Sequence, residues 1–559
     1  MSSHSSARRA GMRWVRVVLS AALVLGAAAC TALPSSGPVY QVQVHQAELS
    51  AVDVVYSGPA ADASPTQIVE GFLAASSSGY SDDFATAHLY LTPRAARDWK
   101  PQAGTVVVDA ALPAKVKERE PGTIDVTTTV RAEVDTNGRY SVKPSPVEDV
   151  REFALTQDDA GQWRIDQLPD GLAVADVTFE NIFDRVNLRF LSPDKRVLVP
   201  ETRWFPRQVA AAKATQALLY GPSSWLAPAV VSAIPPHTSV ERQVSDSDGT
   251  ASVQLRTPQP LDADSAHLLL AQVQRTLADI PGVEAVALQL NGVPVAPTGS
   301  GPAAADIPPD NGAPLLATAN GLARWNGREL LTLEGSSAGM TGPAESGDGV
   351  LAVDGGGNVV AVGPQAPPRV LAEGPGLVNP EPDPWGWGLT GLRENPGQLI
   401  AVKGETTTAV PAPWLQGQQV LRVTLAPDGT QLQVVSQTGN IRMVRVATLV
   451  RDGTGMPVSV TDPIDVPLLQ ARALDADWVG MNQLAVLAQD SDGSAPRVII
   501  TSVGQPVFSL PPVSGGAQVA GGSSDRSVVV VTAEGVLYVR AGAGWREAAK
   551  GVFDPNTGR

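Results

Sequence analysis

The residue types that carry most acid–base, nucleophilic and metal chemistry are widely spaced in this sequence. Beyond the first 29 residues, the histidines stand alone, and none lies in an HExxH or similar spacing. They are His45, His88, His237 and His267. A GxSxG sequence occurs at residues 335–339 (GSSAG), but it lies among short apolar runs typical of strands and not before a helical pattern, so it does not predict a nucleophilic serine on a strand-to-helix turn. These patterns predict no catalytic residues.

Two other short motifs could bind a phosphate or a metal. The glycine-rich stretch VDGGGNVVAVG lies between apolar runs typical of strands, whereas a phosphate cradle must open a helix. The segment QVSDSDGT contains Asp246 and Asp248, which could ligate calcium weakly, but it lacks the further oxygen donors of an EF-hand loop. A hairpin turn explains it better. We therefore expect no metal site and no cofactor.

Two tryptophans are the candidates for a binding surface. Trp385 and Trp387 are two residues apart, so on a strand both side chains would lie on one face. Such a pair could pack inside a β-sheet domain. It could also form a hot spot for a partner, since tryptophan is enriched in such positions. Both interpretations stay open at this point.

Cys30 is the only cysteine of the 559 residues. Four arginines lie among the first 16 residues, and the run that follows to Ala29 is almost wholly apolar but too short to span a bilayer comfortably. A basic start, a short apolar segment and small residues at its end are typical of a secretory signal. Because the segment ends at a cysteine, it resembles a bacterial lipoprotein signal. That resemblance implies a signal peptide over 1–29 and a thioether-linked diacylglycerol on Cys30; the alternative is an ordinary signal peptide with an incidental cysteine.

The charge of the chain limits its partners. The formal net charge is −15, and removal of the first 29 residues would delete four arginines and no acidic residue. An acidic protein of this kind is not expected to bind nucleic acid or to adhere directly to anionic lipid. Once Cys30 is modified, no intramolecular disulfide is available, so packing must stabilise the domains.

Residues 30–64 are polar and loosely patterned, as expected for a tether. Over 65–178 the order is helices and then strands. Ser64 and Pro65 are typical of a helix start, Ile124 to Val134 alternate as in a strand, and Asn137-Gly138 favours a hairpin. This predicts an α+β domain that resembles the NTF2-like fold.

Residues 182–295 alternate between strand and helix patterns. A helix is predicted to end at Gly221, and Asp248-Gly249 favours a hairpin. The segments ATQALLYGPSS and LAQVQRTLADIPGVEAVALQLNG resemble the GerMN domain of sporulation and germination proteins. That resemblance implies an α/β binding or assembly module without assigned catalytic residues.

Residues 296–314 are rich in proline, glycine and alanine and predict a linker. From 315 to 550, helical periodicity disappears and about six groups of short apolar runs alternate with glycine-containing turns, among them LAPDGTQLQVV. Such spacing predicts an all-β propeller, because a single blade cannot bury both of its faces alone. The sequence leaves the number of blades open.

The whole order, from the lipidated cysteine to the propeller with DPWGWG and ADWVG, resembles the actinobacterial LpqB lipoprotein family. The resemblance implies a multidomain, lipid-anchored protein on the extracytoplasmic face of the cell membrane, without enzymatic activity. It further implies that the protein binds and modulates the extracellular domain of the sensor histidine kinase MtrB in the MtrA/MtrB two-component system, which affects cell-wall homeostasis and division. The alternatives are a cell-wall glycan-binding scaffold and a cell-wall hydrolase or lyase.

Overall fold

The computed structural model describes residues 57–296, 304–309, 312–347, 349–364, 366–468 and 470–557. Cys30, His45 and most of the predicted tether lie outside the described residues. All the described residues belong to one structural unit. None of the helices in these ranges combines the length and the apolar character needed to cross a bilayer.

The first domain packs short helices against a six-stranded sheet. Its helices are α1 (Pro65–Ser77), α2 (Ala85–His88), α3 (Pro93–Asp98) and α4 (Asp176–Ile182). Its strands are β1 (Thr105–Val108), β2 (Lys115–Glu120), β3 (Thr123–Val134), β4 (Tyr140–Gln157), β5 (Trp163–Gln167) and β6 (Leu172–Ala175). Ser64 caps α1 in a capping box with Gln67, as the sequence predicts for a helix start here. The sheet order is β5-β4-β3-β1-β6, with β2 paired to β3.

Buried and more exposed residues alternate along β3, which shows which face of the sheet packs against the helices. Every second residue from Ile124 to Val134 is buried, which confirms the strand predicted from its pattern. The core contains an aromatic cluster in which Phe72 contacts Trp99 and Phe153 edge to face, at ring-centroid distances of 5.1 and 6.2 Å. The chain joins this domain from Ser57, whose carbonyl accepts a hydrogen bond from the Tyr90 hydroxyl at 2.8 Å.

The second domain is an α/β unit with a separate hairpin. Its elements are β7 (Phe183–Leu191), β8 (Leu198–Pro206), α5 (Ala210–Tyr220), β9 (Ser239–Ser247), β10 (Thr250–Arg256), α6 (Ala263–Leu277), β11 (Ala285–Leu290) and β12 (Val293–Pro294). The last four strands form a sheet in the order β12-β11-β10-β9, while β7 and β8 form a separate two-stranded sheet. Gly221 ends α5 with φ 88°, and Asp248-Gly249 turns the chain between β9 and β10 with φ 51° and 71°, both as predicted.

Every residue of β8 is buried, which is unusual for one strand of a two-stranded hairpin. Val199 and Phe205 belong to the core of the second domain. Pro200, Thr202 and Trp204 lie on the opposite face of the strand, where the C-terminal domain covers them, as described below. We call β7, β8 and the turn between them the docking hairpin.

The C-terminal domain is a β-propeller with six sheets among the described residues. In each of the first three blades, strands that follow one another in the sequence are neighbours in the sheet. These are β13 (Leu315–Thr318), β14 (Gly321–Trp325) and β15 (Leu330–Thr332) in blade 1; β16 (Thr341–Ser346), β17 (Gly349–Val353), β18 (Val359–Gly363) and β19 (Ala366–Ala372) in blade 2; and β20 (Glu381–Pro382), β21 (Gly388–Gly391), β22 (Gln398–Lys403) and β23 (Thr406–Pro411) in blade 3.

The other three blades follow the same pattern. Their strands are β24 (Gln419–Leu425), β25 (Gln431–Thr438), β26 (Ile441–Arg451), β27 (Pro457–Val460) and β28 (Ile464–Asp465) in blade 4; β29 (Arg472–Val479), β30 (Gln483–Gln489), β31 (Arg497–Thr501) and β32 (Phe508–Pro512) in blade 5; and β33 (Gly516–Ala520), β34 (Val529–Thr532), β35 (Val536–Ala541) and β36 (Gly544–Lys550) in blade 6. Short 3₁₀ turns occur at Gly79–Ser81, Pro101–Ala103, Arg207–Val209, Ala227–Ala229 and Pro413–Leu415.

The ring closes between its first and last strands. Strand β37 (Val552–Asn556) pairs antiparallel with β13 and completes blade 1, so the propeller extends past residue 550, where the sequence predicted its end. The innermost strands contact one another in the order β16, β20, β24, β29, β33 and β37 and then return to β16. Hydrophobic clusters combine residues of neighbouring blades: one joins Leu487 of blade 5 with Val530 of blade 6. The blades therefore stabilise each other by stacking.

Candidate interaction surface

Trp385 and Trp387 lie in the turn between β20 and β21 and not on a strand, which corrects the placement predicted from their spacing. The carboxylate of Asp383 holds this turn by accepting the backbone N–H groups of Trp385 at 2.9 Å and Trp387 at 2.7 Å. The side chains are only 6% and 8% exposed. Neither ring is therefore available on the outer surface of the propeller.

The docking hairpin covers Trp385. The indole N–H of Trp385 donates a hydrogen bond of 2.6 Å to Asp194 in the turn of that hairpin. The guanidinium of Arg451 lies 4.2 Å from the centroid of the same ring. Lys403 lies 5.8 Å from the Trp387 ring. While this contact between domains is closed, the two tryptophans cannot contact a partner.

A buried ion pair between Arg451 and Asp383 stabilises the turn that contains Trp385. Arg451 lies 2.7 Å from Asp383, and both side chains are only 1% exposed. Burial raises the pKa of Asp383, although the Arg451 charge and the turn N–H groups oppose that effect. At Asp194, burial is outweighed by hydrogen bonds from Ser192 and Trp385, which hold its pKa below the usual range. The Arg451–Asp383 pair and the Asp194 carboxylate therefore interact with neighbouring groups of the protein.

Three further contacts attach the docking hairpin to blades 4 and 5. The Gln431 amide donates to the Pro200 carbonyl at 3.0 Å. The Asn482 amide donates to the Thr202 hydroxyl at 2.8 Å. The Trp204 indole donates to the Gly504 carbonyl at 2.9 Å. These side chains account for the burial of the second face of β8, so the second domain covers one end of blades 3 to 5.

Trp204 also belongs to the first domain's core. Its ring lies 5.1 Å from that of Phe179 on α4 and 6.1 Å from that of Tyr140 on β4. One tryptophan of the second domain therefore contacts both of the others. This places the three domains in direct contact around one side chain.

The predicted linker also takes part in these contacts. Ala305 forms a parallel bridge with Val197 of the docking hairpin. Asp306 lies 2.7 Å from the guanidinium of Arg189, a β7 residue whose side chain is 3% exposed. Residues 304–309 are therefore attached to the second domain along part of the predicted linker.

Another buried arginine lies at the axis of the propeller. Arg422 on β24 is 2.8 Å from Asp475 and 3.3 Å from Asp477, both on β29. It also donates to the carbonyls of Val519 on β33 and Pro555 on β37, at 2.7 and 3.3 Å. Burial is outweighed by the two aspartates, so the pKa of Arg422 is raised. One side chain therefore links four blades across the axis.

The other residues considered for chemistry have structural positions. His88 packs on Trp99, His237 lies in a turn with φ 62°, and His267 lies on α6. The glycine-rich stretch forms the turn between β17 and β18, where Asp354 accepts the N–H groups of Gly356 and Asn358 at 2.9 Å each. Over the described ranges, no group of three or more His, Cys, Asp or Glu side chains is arranged to hold a metal ion.

No local sequence pattern indicates that Arg422 and Arg451 are buried or that Asp194 contacts the propeller. Arginine is mostly an exposed residue, and its pairing with a distant aspartate leaves no local pattern. The turn aspartates have a local signal, because each stands close before a glycine. Asp383 and Asp452 begin D-x-x-G sequences and Asp428 directly precedes Gly429, and all three accept backbone N–H groups.

Three family models match the chain in sequence order. The N-terminal domain of lipoprotein LpqB matches residues 58–180, the Germane domain of sporulation and spore germination proteins matches 187–296, and the lipoprotein LpqB beta-propeller domain matches 320–556. These ranges coincide with the three bodies described above.

Curated relatives from actinobacteria carry the name lipoprotein LpqB. The Cutibacterium acnes protein is 30% identical over 285 residues, which is 50% of this chain and 46% of that protein. The Streptomyces avermitilis protein is 30% identical over 314 residues, covering 52% of this chain and 50% of that protein. The chain spans about half the length of the curated relatives it matches.

Two solved structures show distant similarity. TolB from Acinetobacter baumannii is 16% identical with a TM-score of 0.36, covering 44% of this chain and 67% of that one. The tandem GerMN domains of the sporulation protein GerM from Bacillus subtilis are 20% identical with a TM-score of 0.17, covering 24% and 56%. Similarity at this level carries no argument about function.

A mixed α+β domain, a Germane domain and a β-propeller, matched by models and relatives that are named as lipoproteins, define a multidomain bacterial lipoprotein. The chain belongs to the LpqB lipoprotein family.

Proposed function

We propose that this protein is a lipid-anchored, extracytoplasmic binding protein without enzymatic activity. In this proposal it modulates the sensor histidine kinase MtrB of the MtrA/MtrB two-component system and thereby affects cell-wall homeostasis and division. The family resemblance supports the kinase as partner. The burial of two carboxylates with a raised pKa supports a protein without enzymatic activity.

The positions of two carboxylates support the proposed lack of enzymatic activity. The carboxylates whose pKa is raised, Asp383 and Asp475, are both buried against an arginine. Catalytic acids and bases need a perturbed pKa and also access to substrate. These two groups lie in closed contacts between domains or blades, where they stabilise the assembly. This supports a rigid body that presents surfaces for binding.

The lipid anchor would contribute through effective concentration. A chain of about 25 residues between Cys30 and Ser57 would keep the folded body within roughly tens of ångströms of the membrane. A membrane-bound kinase lies in the same layer, so binding becomes nearly intramolecular. Release from the lipid should therefore weaken regulation even though the folded contacts are unchanged.

Two measurements test the proposal. The mature chain with Cys30→Ser would be immobilised and exposed to the MtrB extracellular domain, with the extracellular domain of an unrelated kinase as control. Phosphorylation of the response regulator would then be compared in cells with the wild-type protein, with no protein and with the unlipidated form. Selective capture and different phosphorylation in the three strains are expected.

Equal phosphorylation in the three strains would contradict the regulatory role. Binding to isolated cell-wall glycan without binding to the kinase would instead favour a glycan-binding scaffold. Release of soluble wall fragments by the purified protein would favour a hydrolase or lyase.

A further inference from the structure

A cleft lies between the first domain and blade 5 of the propeller. Its volume is about 250 Å³, enough for one large side chain or a small organic molecule. The first domain supplies its floor and one wall, and the loop between β31 and β32 supplies the other wall. Its lining residues include Val107, Tyr140, Val142, Phe179, Glu180 and Phe508.

The floor and the mouth of this cleft are apolar. Val107 and Val142 both pair with Ala132 on β3, so their side chains lie on one face of the sheet. Phe179 on α4 closes the wall beside them. At the mouth, Val177 is 72% exposed and Phe508 is 46% exposed. An apolar group that entered the cleft would bury surface on both domains at once.

One polar group that lines the cleft, the Tyr140 hydroxyl, has no protein partner among the described residues. Tyr140 is 8% exposed, and its hydroxyl makes no hydrogen bond to any described residue. Burial raises the pKa of Tyr140, and the nearby carboxylates of Asp176 and Glu180 raise it further, so the hydroxyl stays protonated. The hydroxyl is open to the cleft, so a ligand that enters can hydrogen-bond to it without displacing a protein partner.

The two basic side chains around the cleft form ion pairs, whereas one of the carboxylates does not pair with any described residue. Arg131 lies 2.6 Å from Asp109 and 3.3 Å from Asp176, and Lys143 lies 2.8 Å from Glu133. Both cations are therefore paired. The Glu180 carboxylate forms no ion pair among the described residues. A carboxylate thus remains available beside an apolar cavity and a free hydroxyl.

We propose that this cleft binds a cationic amphiphile: an apolar group of side-chain size next to an ammonium or guanidinium. The apolar part would pack on Val107, Val142 and Phe508, and the cation would pair with Glu180. Two sources share this chemistry: a free small amine, and an aromatic residue beside a basic one in a peptide segment. The proposal goes beyond the proposed function and does not depend on the kinase.

The test uses the mature chain with Cys30→Ser, which needs no detergent that could fill the cleft. Calorimetric titration would compare 2-phenylethylamine, the capped dipeptide N-acetyl-Phe-Lys-amide, and phenylacetate, which has the same ring but the opposite charge. Saturable binding of a cationic probe, and weaker or no binding of phenylacetate, are expected. Tighter binding of the dipeptide would indicate a peptide source, and tighter binding of the amine a free ligand.

Variants separate this cleft from adventitious binding. Glu180→Gln should weaken the cationic probe about threefold to fivefold, and Phe508→Ala about fivefold to tenfold. Phe553→Ala is the matched control, since Phe553 is 44% exposed at another part of the propeller and should leave affinity unchanged. Tyr140→Phe should weaken binding about threefold or more while the unfolding midpoint stays equal or rises, because the hydroxyl has no partner to lose.

The proposal fails if neither cationic probe binds saturably, if phenylacetate binds as well as the amine, or if Phe508→Ala and Phe553→Ala have the same affinity. Because Tyr140→Phe is not expected to disturb folding, loss of binding in that variant cannot be attributed to unfolding. Kinase binding would be unaffected by any of these three results.

Discussion

Replacement of Arg451 by methionine should destabilise the protein strongly at neutral pH. Methionine keeps much of the packing volume but removes the charge that faces Asp383 at 2.7 Å, where both side chains are 1% exposed. It also removes two hydrogen bonds, of 2.7 Å to the Gly429 carbonyl and 3.0 Å to the Gly455 carbonyl. Removal of one partner from a buried pair costs about 3–5 kcal/mol, because the remaining charge is uncompensated.

The cost should depend on pH in a defined direction. Burial raises the pKa of Asp383 in the folded protein, and loss of Arg451 removes a charge that opposes this rise. A carboxyl group with a raised folded pKa binds its proton more tightly when folded, so it favours folding at low pH and loses that effect as the pH rises through the folded pKa. The deficit of Arg451→Met should therefore be larger at pH 7 than at pH 5.

Urea unfolding at both pH values would measure this effect. Adding Asp383→Asn to Arg451→Met should recover at least half of the lost free energy of unfolding, because the carboxylate that faces Arg451 at 2.7 Å is then replaced by a neutral amide. Arg324→Met is the control: its pair with Glu345 is 2.6 Å long, but the side chains are 29% and 35% exposed, so a loss of about 1 kcal/mol or less is expected. A deficit below about 1 kcal/mol for Arg451→Met, or no recovery in the double variant, would refute the reasoning.

Three further predictions follow from other parts of the chain. Cys30→Ala should abolish labelling by a radioactive fatty acid and leave the protein uncleaved or released from the membrane; labelling equal to the wild type would exclude Cys30 as the anchor. Gly521→Ala should cost about 3 kcal/mol or more in urea unfolding, because a Cβ there would lie 1.6 Å from the Trp478 carbonyl oxygen, whereas Gly544→Ala meets nothing within 4 Å and should cost less than about 1 kcal/mol. Asp306→Ala should speed proteolysis between the second domain and the propeller, because it removes the 2.7 Å contact with Arg189; unchanged cleavage rates at low protease would contradict that role.

Local signals in the sequence were enough to predict most individual elements. The cap at Ser64, the stop at Gly221 and the turn at Asp248-Gly249 depend on residues within a few positions of each other, and the structure confirms each. The propeller was likewise predictable, because each blade repeats the same short strand and turn pattern.

Contacts between domains were not predictable in this way. Trp385 and Asp194 are 191 positions apart, and nothing near either residue indicates the other. The same holds for Arg189 and Asp306, 117 positions apart, which attach part of the predicted linker. The apolar and polar mixture of β8 also gave no warning that both of its faces would be covered. These contacts depend on how the folded domains pack against one another, and a local sequence pattern contains no information about that packing.

The closure of the ring has a consequence for how the chain matures. Blade 1 takes three of its strands from the start of the propeller and its innermost strand from Val552–Asn556. A chain emerging from the ribosome or a translocation channel therefore exposes an incomplete first blade until its final strand has passed through. Proteases could cleave the open propeller throughout that interval. A frameshift that removed only strand β37 would leave a ring that cannot close.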